Sequence, residues 1–200
     1  AKDKNVIVIG GGDTGTDCLG TSMRHGCKTL VNFEIVPQPP LERSEGNPWP
    51  EFPMIFKIDY GHEEAAAKFN QDPRVFSISS VNFIDDGSGQ ISGINTIDVV
   101  PKDGRFEPVE GTERHWEADL VFLALGYRGP EHYVSDPLSL EYDERTNYKA
   151  EKGIFKTSAE NVFACGDCRG GQSLVVRAIN EGREAAHAID NFLSDPKILT

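Results

Sequence analysis

A glycine-rich loop with the spacing Gly-x-Gly-x-x-Gly lies close to the start of the chain. Gly10, Gly12 and Gly15 follow four apolar residues at 6–9, and a helix is predicted after them at 14–25. Between a strand and a helix, these glycines allow a tight turn, close approach of a phosphate and close helix–strand packing, in that order. The N–H groups at the helix start would face the anion. The pattern predicts a dinucleotide site; the alternative is a strand, turn and helix that bind no ligand.

An acidic residue stands where a dinucleotide-binding domain holds the ribose. Glu34 lies in a second predicted strand, residues 28–35, roughly 20 residues beyond the last glycine. A carboxylate there binds a ribose 2′-hydroxyl and repels a 2′-phosphate. We therefore predict NADH rather than NADPH as the cofactor. Arg43, in the loop that follows, could oppose this preference by swinging towards the site.

A second candidate site lies near the end of the chain. The apolar residues 162–164 lead into Cys165, Gly166 and Asp167, followed by a Gly-Gly pair and a helix predicted from about Ser173. An acidic residue at a strand end can accept hydrogen bonds from ribityl hydroxyls, and a helix terminus can stabilise negative charge on a reduced flavin. These features predict a flavin site. The alternative is an Asp167-capped turn and a docked helix without a ligand.

Cys165 and Cys168 have the Cys-x-x-Cys spacing of thioredoxin-like redox pairs, which leaves a dithiol function open. The pair lacks the second cysteine pair or the histidine spacing of a zinc site. We therefore predict no metal site. We name no catalytic residue, because hydride transfer from nicotinamide to flavin needs orientation rather than a protein acid or base.

Composition limits the partners and the compartment. The 200 residues carry a net charge of −12, from 20 basic and 32 acidic side chains, and no basic block stands out. These charges argue against nucleic acid and anionic membranes as partners. The apolar runs are too short to span a membrane, and the chain does not start like a signal peptide. The four cysteines fit a reducing compartment. We expect a cytoplasmic protein, although an organelle is not excluded.

The remaining residues predict an α/β fold with a β-meander. Six prolines mark residues 36–53 as a loop, in which Trp49 and Phe52 are expected to anchor the loop rather than cover a ligand. Periodicity and composition predict a helix at 63–69, strands at 75–84, 91–100, 116–124, 153–157 and 161–165, and a final helix at 173–193. We expect this last helix to bury an apolar stripe against a sheet: Leu174, Ala178, Ile179, Ala185, Ala186, Ile189 and Phe192.

Five motifs together resemble the glutamate synthase family. They are GGGDTGTDC at 10–18, NPWP at 47–50, DYGHE at 59–63, ALG at 124–126 and ACGDCRGGQSLVV at 164–176. The resemblance is to the C-terminal half of the small, pyridine-nucleotide-oxidising subunit, or to the matching end of the fused single-chain form, and it covers nearly the whole chain. It implies a Rossmann-like, three-layer NAD(P)-binding domain at 1–126 and the C-terminal part of an FAD-binding domain at 127–200.

The resemblance also implies an electron-input role. In that family NAD(P)H reduces FAD on the small subunit, and iron–sulfur clusters pass the electrons to FMN on the large subunit. There L-glutamate is formed from 2-oxoglutarate and glutamine. By resemblance, the nicotinamide dinucleotide is held by Gly10, Gly12, Asp13, Thr14 and Gly15, and FAD by Gly166, Asp167, Gln172, Ser173 and Leu174.

The family's first FAD glycine loop and its cluster-binding cysteines would precede Ala1. We therefore expect a fragment that is inactive alone and whose partners are the remainder of the FAD domain and the large subunit or domain. Two other functions stay open: a thioredoxin-reductase-like disulfide oxidoreductase that uses the cysteine pair, and a nucleotide-binding module without turnover.

Overall fold

The chain forms two compact units, one from Ala1 to Gly126 and one that begins at Tyr127. A computed structural model describes residues 1–194. Each unit is considered by itself below.

A parallel sheet forms the centre of the first unit. Its strands are β1 (Asn5–Ile9), β2 (Thr29–Phe33), β3 (Arg74–Val75) and β8 (Leu120–Leu123), in the order β3-β2-β1-β8. The central strand β1 pairs with β2 on one side and with β8 on the other, both in parallel. Its residues Val6, Ile7 and Val8 are buried, as expected for a parallel strand that is covered on both faces.

Two helices cover one face of this sheet. These are α1 (Asp13–Arg24) and α2 (Tyr60–Phe69). Val6 and Val8 of the central strand contact Leu19 of α1 and Ala65 of α2 in one apolar cluster. The helices approach closely through glycine, since a Cβ at Gly61 would overlap the carbonyl oxygen of Thr16.

An antiparallel sheet covers the opposite face. It consists of β4 (Ile78–Asp85), β5 (Ile91–Lys102), β6 (Arg105–Pro108) and β7 (Arg114–Glu117). Ile7 points to this side, where it joins Phe33, Ile78 and Ile94 in a second buried cluster. The unit therefore has three layers, and the predicted Rossmann-like α/β architecture with a β-meander is confirmed.

Two predicted strands are interrupted, and one of them changes sheet. The run 75–84 breaks at Ser77, which has a φ of 54°. The run 116–124 divides at Asp119, which exchanges two hydrogen bonds with Asn5 and so starts β8 beside β1. The prediction of one continuous strand at 116–124 was wrong, because β7 pairs with β5 whereas β8 joins the parallel sheet.

Helix α2 starts three residues earlier than predicted. The backbone N–H of Asp59 donates a hydrogen bond of 3.2 Å to Nδ1 of His62, which closes the first turn. The usual sequence signal of such a reciprocal cap is Glu or Gln at the third helical position. Because His62 occupies this position, the sequence did not indicate the earlier start.

The proline-rich loop is organised around one buried side chain, Asn47. Its amide nitrogen donates to the carbonyl oxygen of Phe52 at 3.0 Å, and its amide oxygen accepts from the N–H of Met54 at 2.8 Å. Trp49 and Phe52 are 83% and 77% exposed. The prediction that these two rings anchor the loop was therefore wrong, since a polar network holds it instead.

The second unit contains a short 3₁₀ turn (Asp136–Leu138), the one-turn helix α3 (Asp167–Gly170) and the long helix α4 (Val175–Leu193). The strands predicted at 153–157 and 161–165 are reduced to one bridge between Lys156 and Phe163. The expected burial of the α4 stripe was wrong: of its seven residues only Ala185 is buried, and Leu174 and Ile179 are 69% and 58% exposed. Among its described residues this unit forms isolated bridges and no extended sheet, so the helix lacks the predicted partner.

We expect Gly61→Ala to destabilise the first unit by about 1–3 kcal/mol, because the new methyl group would push α2 away from α1. Urea unfolding followed by tryptophan fluorescence measures this unit selectively, since both tryptophans, Trp49 and Trp116, lie in it. Gly46→Ala is the matched control, because a Cβ at Gly46 would meet nothing within 4 Å. Equal unfolding midpoints for the two variants would contradict the close helix contact.

Candidate functional site

Gly10 and Gly15 are required by the packing of the loop itself. Gly10 has a φ of 117°, and a Cβ there would overlap the carbonyl oxygen of Ala124. A Cβ at Gly15 would overlap the carbonyl oxygen of Gly10. The turn therefore lies tightly between the end of β8 and the first turn of α1, in agreement with the roles expected of these two glycines.

Gly12 differs, because its side-chain direction is open. A Cβ at this position would meet nothing within 4 Å, and its φ of −83° suits any residue. Gly12 is the N-terminal cap of α1, and Asp13 and Thr14 are exposed in the first turn. Neither packing nor backbone strain requires glycine here. The space beside it fits a phosphate that approaches the N–H groups of the helix start.

Asn32 holds the loop in place, and sequence reasoning missed it. This fully buried side chain of β2 donates hydrogen bonds to the carbonyl oxygens of Val8, at 3.1 Å, and Gly10, at 3.0 Å. Its own amide oxygen has no hydrogen-bond partner among the residues that the structure describes. A polar residue in the otherwise apolar run Leu30-Val31-Asn32-Phe33 was the available signal.

Glu34 follows β2 directly and lies beside the glycine loop. A Cβ at Gly11 would overlap its carboxylate group. Burial raises the pKa of this half-buried carboxyl above its ordinary value, against an opposing effect of Arg74, and the negative charge of Asp72 raises it further. Glu34 also lines a cavity of about 490 Å³, and the other lining residues include Gly10, Gly11, Ile35, Val36 and Ser80. The structure thus brings Glu34 and the loop to one cleft, as expected.

Arg43 is held within the proline-rich loop. Its guanidinium donates to the carbonyl oxygens of Asn47, at 3.1 Å, and Glu51, at 2.8 Å. A movement towards Glu34 would break both hydrogen bonds, which counts against the opposing effect of Arg43 on cofactor choice.

The second candidate site is organised by a pair that sequence reasoning did not identify, Arg169 and Glu181. The Glu181 carboxylate accepts from the N–H of Gly166 at 2.8 Å and from Nε of Arg169 at 3.0 Å, and it forms an ion pair with the same guanidinium. Both side chains are nearly buried, and the hydrogen bond from Arg169 lowers the pKa of Glu181. The contact attaches α4 to the turn at Gly166, whose φ of 72° favours glycine.

The predicted flavin contacts lie around this turn. Asp167, Gln172 and Ser173 line a cavity of about 560 Å³ in the second unit, together with Cys168 and Tyr127. Leu174 is the N-terminal cap of α4 and is largely exposed. Residues 167–170, which precede the helix predicted from about Ser173, form the one-turn helix α3.

Within the cysteine pair, Cys168 has the surroundings of a structural thiol. Cys168 donates a hydrogen bond of 3.2 Å to the carbonyl oxygen of Cys165, as a side chain in a helical turn does. Burial raises the pKa of the Cys168 thiol, which keeps it protonated at neutral pH, whereas a redox thiol needs a lowered pKa.

Within residues 1–194, the structure contains no group of three or more His, Cys, Asp or Glu side chains that could hold a metal ion. Over the same residues, no helix is both long enough and apolar enough to cross a membrane.

Comparisons with known proteins identify a family and several relatives of the chain. Residues 1–182 match the family model described as pyridine nucleotide-disulphide oxidoreductase. The chain is 47% identical over 195 residues to glutamate synthase [NADH] of Schizosaccharomyces pombe, covering 95% of this chain and 9% of that protein. It is 42% identical to the glutamate synthase [NADPH] small chain of Bacillus subtilis, covering 100% of this chain and 41% of that one. The chain therefore spans less than half the length of either relative.

The fold recurs in solved structures of low sequence identity. Thioredoxin reductase of T. acidophilum superposes with a TM-score of 0.65 at 23% identity, over 96% of this chain and 54% of that one. At this identity, the similarity supports the shared fold.

We expect Gly12→Ala to separate ligand binding from folding. The methyl group would enter open space, so the unfolding midpoint should fall only slightly, because a helix N-cap prefers glycine to alanine. The affinity for a dinucleotide should fall by at least about tenfold, because the methyl group would block the approach of the phosphate. Titration by nicotinamide fluorescence, combined with urea unfolding, measures both. An unchanged affinity of the variant for the dinucleotide would show that the phosphate does not bind beside Gly12. Gly46→Ala serves again as the control.

Proposed function

Because the chain belongs to the pyridine nucleotide-disulphide oxidoreductase family, we propose that it forms the nicotinamide-binding domain and part of the flavin-binding domain of a glutamate synthase. In this role it takes part in hydride transfer from NADH to FAD. The observation that carries the proposal is the cleft in which the glycine loop and Glu34 meet, in a chain 47% identical to a glutamate synthase. Synthesis of L-glutamate from 2-oxoglutarate and glutamine, by way of iron–sulfur clusters and FMN, would take place elsewhere in the parent enzyme.

The first unit, residues 1–126, would bind the nicotinamide dinucleotide. The bound cofactor supplies the hydride, and the residues of this chain bind and orient it. Gly10 and Gly15 shape the turn, Gly12 leaves room for the pyrophosphate, and the first-turn N–H groups at Asp13 and Thr14 would bind its oxygens. Electrostatic attraction then comes from peptide dipoles, which suits a chain with a net charge of −12.

Glu34 is the basis for proposing NADH. Its carboxylate would accept a hydrogen bond from the ribose 2′-hydroxyl and would lie against the 2′-phosphate of NADPH. Two uncompensated negative charges at contact distance cost on the order of 1 kcal/mol or more, enough for about tenfold discrimination. The names of the relatives mention both cofactors, so the proposal rests on the site and not on them.

The second unit, residues 127–200, would contribute to the FAD site through Gly166, Asp167, Gln172, Ser173 and Leu174. Asp167 can accept a hydrogen bond from a ribityl hydroxyl, and the start of α4 can stabilise negative charge on the reduced ring. The exposed apolar face of α4 supports a further partner, namely the remainder of the FAD domain. The large subunit or domain of the enzyme would receive the electrons by way of the iron–sulfur clusters.

The thioredoxin-reductase-like alternative is not favoured. The half-buried Cys168 thiol, whose pKa is raised by desolvation, lacks the activation that a dithiol centre requires. When the chain is separated from its parent enzyme, we expect it to bind nucleotide without catalytic turnover.

Cofactor preference tests the proposal directly. We expect the 200-residue chain to bind NADH more tightly than NADPH by about tenfold, Glu34→Gln to narrow this ratio, and Glu34→Arg to reverse it. Fluorescence titration with each dinucleotide gives the dissociation constants. Glu42→Gln, in the proline-rich loop, is the charge-matched control and should leave the ratio unchanged. Tighter binding of NADPH by the unmodified chain would refute the NADH assignment.

The preference should also depend on pH. Because the pKa of Glu34 is raised above the ordinary glutamate value of about 4.3, this side chain takes up a proton earlier than an exposed glutamate as the pH falls. Protonation removes the repulsion of the 2′-phosphate, so the NADPH-to-NADH ratio of dissociation constants should fall towards one. The same pH series with Glu34→Gln measures the part of the pH dependence that comes from protonation of the 2′-phosphate itself. A ratio that falls equally in both proteins would exclude Glu34 as its source.

A further inference from the structure

Gly11 is a glycine whose presence the dinucleotide motif does not explain. The motif leaves its position free for any residue. The backbone of Gly11 is not left-handed, so its conformation does not require glycine either. Its neighbourhood is nevertheless crowded: a Cβ would overlap the carboxylate of Glu34 and lie 2.8 Å from its Oε1 atom. The next glycine, Gly12, has no neighbour in that direction. The contact with Glu34 is therefore specific to Gly11.

We propose that Gly11 is a positioning residue for cofactor selection, which acts by leaving the space in which the Glu34 carboxylate is held beside the ribose site. The inference rests on the proposed role of Glu34 in selecting NADH and adds a second determinant to it. A side chain at position 11 would displace the carboxylate and weaken discrimination without altering the phosphate site at Gly12.

The backbone on the Glu34 side cannot absorb the displacement. The N–H of Glu34 donates to the carbonyl oxygen of Val75 at 2.9 Å, and its carbonyl oxygen accepts from the N–H of Ile78 at 3.1 Å. These bonds join Glu34 to the segments on both sides of the break at Ser77. An added methyl group at Gly11 would therefore meet the flexible end of the glutamate side chain, and that end would move.

The nearby cation is not available to hold a displaced carboxylate. Arg74 donates from Nε and one terminal nitrogen to Asp72, at 2.9 and 2.6 Å, and from the other terminal nitrogen to the carbonyl oxygen of Lys57, at 2.7 Å. Its guanidinium also lies over the ring of Phe56, 4.2 Å from the centroid. Asp72 itself repels the Glu34 carboxylate. Neither Arg74 nor Asp72 therefore offers the Glu34 carboxylate an alternative position to the one beside Gly11.

A double-mutant cycle tests the inference. Dissociation constants for NADH and NADPH are measured by nicotinamide fluorescence for the unmodified chain, Gly11→Ala, Glu34→Gln and the double variant. We expect Gly11→Ala to narrow the preference for NADH by about fivefold, close to the effect of Glu34→Gln. The double variant should match Glu34→Gln alone, because both changes act on one carboxylate. Gly46→Ala is the control and should keep the original ratio.

The possible results separate the two proposals. A ratio that changes in Glu34→Gln but not in Gly11→Ala would overturn the role of Gly11 and leave that of Glu34 intact. An unchanged ratio in Glu34→Gln would overturn both. Equal weakening of NADH and NADPH binding by Gly11→Ala, or the same narrowing when Glu34 is already replaced, would also overturn the inference, since Gly11 would then act on the loop and not through Glu34.

Folding is monitored in the same series. Gly11→Ala should keep the urea midpoint, because the contacted group is the mobile end of a side chain. If the midpoint falls, Gly11→Ala combined with Glu34→Ala should restore it by removing the contacted carboxylate. A midpoint that stays low in the combined variant would locate the overlap elsewhere and contradict the proposed contact.

Discussion

The close approach of the Gly10 backbone to the carbonyl group of Ala124 is the constraint on which the first unit depends. It places the β1–α1 turn against the end of β8, and Gly15 then brings the helix against the same turn. The N–H of Gly10 donates to the carbonyl oxygen of Phe33 at 2.9 Å, so the ends of three neighbouring strands meet around one residue. A side chain at Gly10 or Gly15 would separate these strand ends and widen the cleft beside them.

In the proposed dinucleotide site, attraction for the phosphate groups would come from the backbone. The chain is strongly acidic, and the acidic residue at the cleft, Glu34, is half-buried with a raised pKa. The dipole of α1 and its first N–H groups supply local positive potential without a side-chain cation. Negative charge at the proposed ribose site and positive potential at the proposed pyrophosphate site can therefore coexist a few residues apart. This arrangement gives the proposed discrimination between two similar dinucleotides its physical basis.

Local sequence patterns located the candidate sites, whereas contacts between distant residues were beyond their reach. The glycine spacing and Glu34 could be found because a turn, a helix start and a strand end leave signals within about 25 residues. Arg169 and Glu181 lie on different helices, and neither has a local signal for its partner. The amphipathic pattern of α4 was correct as a pattern, but periodicity does not say whether the partner surface belongs to the same chain. The same limit explains Trp49 and Phe52, whose aromatic character indicated burial although Asn47 holds their loop.

The Arg169–Glu181 pair also limits which substitutions the second unit can tolerate. Each partner neutralises a charge on a side chain that is only 13% (Arg169) or 15% (Glu181) exposed, and Glu181 in addition accepts a hydrogen bond from a peptide N–H of the Gly166 turn. Replacing one partner alone would leave the other charge buried and uncompensated, which costs more than replacing both. The two positions are therefore energetically coupled. Substitution at either is expected to be tolerated chiefly when the other changes with it, and laboratory redesign of this turn has to treat the helix and the loop together.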